Sequence, residues 1–178
     1  MQSFEINSNQ INKIEKITAE EKNFRIKNLE FFNESGFPNK RLEDWKFSDL
    51  KEIINKNFDD LDTKKVSSNS AKINFIKDFE HNYIILVNGN LNSSNFNYEE
   101  KNKIKIKPYD KSIDYKTSKN PLVCLNHALA QNGFSLEIDK NYKFKKVLVI
   151  YNFFTKDLKN KILNNKNKIK LNENAELH

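Results

Sequence analysis

The sequence predicts an α+β fold, helical at its start and made of strands by its end. Three observations predict it. Thr18-Ala19-Glu20-Glu21 is a capping box, and Gly36 stands where the helix it starts must stop. At Tyr83 the apolar spacing changes, and Tyr83-Ile84-Ile85-Leu86-Val87 runs without interruption into Asn88-Gly89. Beyond the helix opened by Asn120-Pro121, the remaining apolar patterns are those of strands.

The first long helix starts at Thr18, whose hydroxyl takes the amide of Glu21, and runs to about Ser35, with Gly36 in the left-handed position. Ile26, Leu29 and Phe32 fall on one side, and Phe24 and Phe31 on another, so more than one flank is buried. Arg25 lies on the Leu29 and Phe32 face. Its guanidinium needs a carboxylate, either Glu21 four residues back or one from the following turn. Upstream, Ile11, Ile14 and Ile17 suggest a short extra helix. After the turn at Gly36-Phe37-Pro38, Ser48 is the expected cap of a second helix with Leu50, Ile53 and Ile54 inward. Residues Asn55 to Ser70 are polar and read as a connection.

In the strand part, Tyr83–Val87 is expected to be covered on both faces. Lys103-Ile104-Lys105-Ile106-Lys107 alternates as a half-exposed strand until Pro108. Asn120 caps the next helix, Pro121 takes its first position, and Leu122, Cys124, Leu125, Ala128 and Leu129 share one face before Gly133. Phe134, Leu136 and Ile138 then alternate with polar residues, Val147 to Tyr151 reads as a second buried run, and Ile169 and Leu171 alternate with lysines. A turn at Asn172-Glu173-Asn174 leads to Ala175 and Leu177 as the start of a further strand. A pattern ending there leaves a sheet edge open, so the expectation is a fragment of a longer protein that self-associates through that edge.

At 178 residues the chain holds one domain, or one and part of another; a hydrophobic fraction of 37% with 14 Phe suffices for a core. No apolar run approaches the ~20 residues of a bilayer span. The start, Met1-Gln2-Ser3-Phe4-Glu5-Ile6, lacks the basic-then-apolar order of a secretory signal, so a cytoplasmic protein is expected. Cys124 is the only cysteine, and His81, His127 and His178 show no ligand spacing, so neither a disulfide nor a metal site is expected. With three Gly there is no phosphate-cradling loop. The +7 charge admits a basic nucleic-acid-binding module as the alternative function. Against it, the basic residues are scattered, and Lys, Asn and Ile are raised together, as A/T-rich codons would raise them.

Single residues tempt a catalytic reading. Glu43 and Asp44 are paired carboxylates, but neighbours in sequence rarely converge and no nucleophile motif accompanies them, so pairing with Arg41, Lys46 or Arg25 is expected. A small enzyme would need a pocket gathering the charges of Arg41 to Lys46, and nothing in the sequence specifies its chemistry. Trp45 reads as a core residue pinning the inter-helix turn rather than an interface anchor. Cys124 reads as a buried small hydrophobe, and His127 as exposed. No catalytic, cofactor or metal residue is assigned.

Two blocks carry a family likeness. Gly36, Pro38, Arg41, Glu43, Asp44, Trp45 and Lys46 follow a Gly-(Phe/Leu)-Pro turn and an Arg-x-Glu-(Asp/Asn)-Trp-Lys segment, and Leu125, Asn126, Ala128, Leu129 and Gly133 follow a Leu-Asn-x-Ala-Leu…Gly segment. With the Asn-Gly strand end near Leu91, these occur in order across nearly the whole chain. The sequence resembles the SufB/SufD family, scaffold subunits of the Suf iron–sulfur cluster assembly machinery, and Arg-x-Glu-Asp-Trp-Lys favours the SufD branch. The resemblance implies a helical N-terminal domain with a few strands (1–118), then a helix and the first strands of a right-handed parallel β-helix, cut short (119–178). It implies a non-enzymatic scaffold working with SufB and the ATPase SufC. The iron–sulfur cluster would form on the full complex, with no cofactor held by this chain. The family's docking and cluster-assembly residues lie beyond the matched segments, so none is carried over.

Overall fold

The computed structural model describes residues 6–41, 43–57, 74–110, 116–158 and 162–178. They form a mixed α+β structure with four α-helices and two three-stranded sheets among the described residues. The chain groups into two compact units that interleave along the sequence. One comprises Met1–Lys64, Lys111–Ala130 and Lys159–Asn164, and the other Lys65–Asp110, Gln131–Leu158 and Asn165–His178. The helix after Asn120 therefore belongs with the N-terminal helices rather than with the strands that follow it.

In the helical unit, the Thr18 hydroxyl accepts the Glu21 amide at 3.1 Å, and α2 runs Ala19–Ser35. Gly36 ends it with φ 69° and ψ −173°, beyond the left-handed helical well and in a region essentially confined to glycine. The upstream helix is a single turn, α1 (Asn9–Asn12), which buries Ile11. Helix α3 (Leu50–Asn57) differs from expectation in two ways. Its first turn is capped by Asp49, whose carboxylate accepts the Glu52 amide at 2.9 Å, rather than by Ser48; and Ile54 is buried while Ile53 faces solvent. Asp49 outcompetes Ser48 because its carboxylate is charged as well as reaching the third amide. The polar connection expected over Asn55–Ser70 begins inside α3, and from residue 58 it lies outside the described residues.

Helix α4 (Pro121–Leu129) is capped by Asn120, whose side chain accepts from the Leu122 and Val123 amides. It packs along α2. Leu29 and Phe32 join Cys124, Leu125, Ala128, Leu129, Ile11, Phe37 and Ile54 in one core, with Ile26 and Phe31 against it. Both flanks of α2 are thus covered, as its sequence required.

In the sheet unit, β1 (Asn82–Val87) turns into β2 (Asn90–Asn95) through Asn88 at φ 48° and Gly89 at φ 75°. Two positive φ values are the mark of the type I′ turn that Asn-Gly favours. Strand β2 was not foreseen, because Asn90-Leu91-Asn92-Ser93-Ser94-Asn95 has almost no apolar content; its pairing to β1 makes it a strand. The others are β3 (Ile104–Pro108), β4 (Phe134–Ile138), β5 (Leu148–Phe153) and β6 (Lys168–Leu171). The sheets order as β2-β1-β5 and β3-β4-β6, with antiparallel β1/β2 and β3/β4 and parallel β1/β5 and β4/β6. Ile84, Leu86, Ile104, Phe134, Leu136 and Ile138 fill one core, while Ile85 and Val87 pack with Tyr151 on the reverse face of β1. Strand β1 is covered on both sides.

Two strand expectations fail here. Val147 and Ile150 are exposed, because β5 lies at the edge of its sheet and only Tyr151 is buried. Ala175 and Leu177 do not open a strand; Glu176 makes a single parallel bridge to Lys143. That bridge belongs to a longer pattern. Asn132 pairs with Asn165, Ser135–Ile138 with Lys168–Leu171, and Lys143 with Glu176, so one stretch of chain lies parallel on another at a constant offset of 33 residues.

Candidate functional site

The turn after α2 is fastened from below. Phe37 and Pro38 are buried, and the Phe37 ring meets Phe32 edge-to-face at 4.9 Å. The Asn39 side chain then accepts the Arg41 amide at 2.9 Å, and Glu43–Trp45 forms one turn of 3-10 helix. Gly36, Pro38, Arg41, Glu43, Asp44 and Trp45 come together, with Lys119, Asn120 and Pro121 at the head of α4, around an open cleft of about 680 Å³.

Aromatic and charged side chains border this cleft. Trp45 is half-buried and outside the core cluster, so the residue that pins the turn is Phe37, which corrects the expectation for the tryptophan. Glu43 and Asp44 are exposed and form no ion pair among the described residues; Arg25, one of their expected partners, is bound to Glu21 instead. Lys46 projects outward with its ammonium 5.8 Å above the ring of Phe47, which is 92% exposed. One indole and both signs of charge therefore border the cleft.

The second block is placed elsewhere. Leu125, Ala128 and Leu129 are core residues, and Asn126 is half-buried on the same helix. Cys124 is buried, its thiol directed at the Ser118 carbonyl at 3.3 Å, and burial pushes its pKa up, away from reactive thiolate. His127 is half-buried, edge-on to Phe24 at 5.6 Å, rather than exposed. Gly133 lies in the sheet unit at φ 128°, where an added Cβ would run into the Lys166 carbonyl. The first block therefore meets the start of α4, while the residues from Leu125 to Gly133 serve packing.

Arg25 shows what sequence reasoning saw and what it missed. Its Nε and Nη2 donate to Glu21 at 3.1 and 3.0 Å, one of the two partners expected. Its Nη1 donates to the carbonyls of Ala128 and Ala130 at 3.0 and 2.9 Å, closing the C-terminal end of α4. No local signal announces a contact more than 100 residues away. Lys119 and Asn120 were likewise missed as cleft residues, since Asn120 was legible only as a cap. An aromatic cluster from Phe75 to Tyr83 was missed too, although the rings at positions 75, 79, 81 and 83 were a signal.

Among the described residues, no group of three or more His, Cys, Asp or Glu is placed to hold a metal ion. Among the described residues no helix is long and apolar enough to cross a membrane. No family model matches the sequence, and no curated protein matches it either.

Proposed function

We propose that the chain is the N-terminal portion of a SufD-like scaffold subunit, acting in iron–sulfur cluster assembly without catalysing a reaction itself. Its partners on this reading are SufB and the ATPase SufC, and the cluster is cargo of the full complex. The observation that carries the reading is the parallel stacking at a constant 33-residue offset. A fixed offset over several strands and the turns between them is how successive coils of a β-helix lie on one another. Side chains repeat across it: Asn174 donates to Asn141 at 3.1 Å, Lys170 pairs with Glu137 at 2.8 Å, and Lys143 with Glu176. The family segments supply the second support, since Gly36, Pro38, Arg41, Glu43, Asp44 and Trp45 line one cleft.

The test is affinity capture of the gene product carrying this chain with SufB and SufC, followed by native mass. A complex containing all three is the expected result. If neither partner is retained the reading falls. A nucleic-acid affinity that drops steeply with salt would then establish the basic-module alternative.

A further inference from the structure

From Phe75 to Tyr83 the side chains Phe75, Phe79, His81 and Tyr83 gather beside Tyr151 of β5, on the face of sheet β2-β1-β5 away from the inter-sheet core. Ring centroids of Phe75 and Tyr83 are 5.0 Å apart, and those of Phe79 and His81 5.1 Å. Hydrogen bonds hold the cluster in place. The Ile76 amide donates to the Tyr151 hydroxyl at 3.1 Å, His81 Nδ1 donates to the Phe79 carbonyl at 2.9 Å, and His81 Nε2 lies 2.7 Å from the Tyr151 oxygen. Phe75, Phe79, His81, Tyr83 and Tyr98 border a cleft of about 500 Å³.

Two carboxylates, Asp78 and Glu80, stand at this cleft, and one shows what the site does with charge. Glu80 holds the Lys146 ammonium at 2.9 Å, and the same ammonium lies 5.8 Å over the Tyr98 ring. One wall thus already binds a cation between an aromatic face and a carboxylate. The lining of the cleft also includes Phe79, 48% exposed, and Asp78, which forms no ion pair among the described residues. Aromatic faces attract a cation through the ring quadrupole but accept no strong hydrogen bond, so they favour a weakly hydrated cation over a bare ammonium. Lys77 also borders the cleft, and with Glu80 paired to Lys146 the carboxylate left for a ligand is that of Asp78.

We propose that this cleft binds a methylated ammonium group, seated on Phe79 with Asp78 as counter-charge. The proposal stands apart from the scaffold reading, because it uses neither family segment nor the stacked coils. The same chemistry reaches the cleft from a free small molecule or from a trimethylated lysine side chain.

The test is an NMR titration of the full chain with choline, with a short trimethyl-lysine peptide, and with 3,3-dimethylbutan-1-ol, the neutral isostere of choline. Saturable shifts of the Ile76 amide and the His81 ring are expected, with the isostere weaker by about tenfold. Phe79→Leu and Asp78→Asn should each weaken binding about fivefold while the Leu136 and Ile138 amides stay in place, showing that the fold is kept. Tighter binding of the peptide than of choline identifies a protein side chain as the source, and the reverse identifies a free molecule. Absence of saturable shifts with both cations, equal binding of the isostere, or unchanged binding in both variants overturns the proposal.

Discussion

Arg25 has no solvent exposure, and its guanidinium is shared between Glu21 and the last carbonyls of α4. Its removal leaves a nearly buried carboxylate and two carbonyls unpaired. Arg25→Leu is expected to lower stability by about 3 kcal/mol in denaturant unfolding. Arg25→Lys should recover little, because an ammonium cannot span the carboxylate and the carbonyls as the fork does. Glu99 plays the matching part in the sheet unit. Burial alone would raise its pKa, but donors from Asn82, Tyr142 and the Lys145 and Lys146 amides together hold it below the ordinary carboxylate value. A depressed folded pKa contributes stability that is present above the unfolded value near 4.5 and is lost as pH falls through the folded value. Melting temperature measured against pH should therefore fall less steeply below about 4.5 in Glu99→Gln than in the parent, from a lower start.

At the scale of elements, the two strained glycines separate backbone strain from crowding. Gly36 has φ 69° but open space around the missing Cβ, whereas Gly133 has φ 128° and the Lys166 carbonyl against it. Gly36→Ala should cost about 1–3 kcal/mol through backbone strain alone. Gly133→Ala should cost more and should also disturb β4/β6 pairing, read as faster amide exchange at Leu136 and Ile138. Equal costs would show that the Lys166 backbone yields to the methyl group. Between β4 and β6, Lys170 and Asn172 bond the Glu137 carboxylate and hold its pKa at about 2. In acid this contact between the two strands persists below pH 4.5 and opens only as pH approaches 2, so the Lys170 ammonium signal should change there and not near 4.5. Elements with a strong local cause were legible beforehand: Thr18 with Glu21, Asn120 with Pro121, and Asn88-Gly89. Elements that depend on a partner were not. Polar β2 is a strand because β1 pairs with it, and Val147 and Ile150 are exposed because β5 lies at an edge.

For the whole molecule, among the described residues β6 pairs only with β4 within its sheet, and Ile169 and Leu171 on it are 44% and 46% exposed. An alternating strand with apolar residues at a sheet edge is a template for further pairing. Self-association is the expected outcome, seen as a sedimentation coefficient that rises with concentration, and Ile169→Lys should suppress it. A concentration-independent monomer counts against it.

What the sequence determined alone was local: which residues start and stop helices, which strand is covered twice, and that Arg25 needs a carboxylate. Each follows from hydrogen bonds or side-chain periods that close within a few residues. The tertiary structure alone decided that α4 groups with the N-terminal helices, that Lys119 and Asn120 meet the turn at Arg41–Trp45, and that one stretch of strands lies on another 33 residues away. It decided these because burial and chain pairing join segments far apart in sequence, and neither leaves a mark on neighbouring residues.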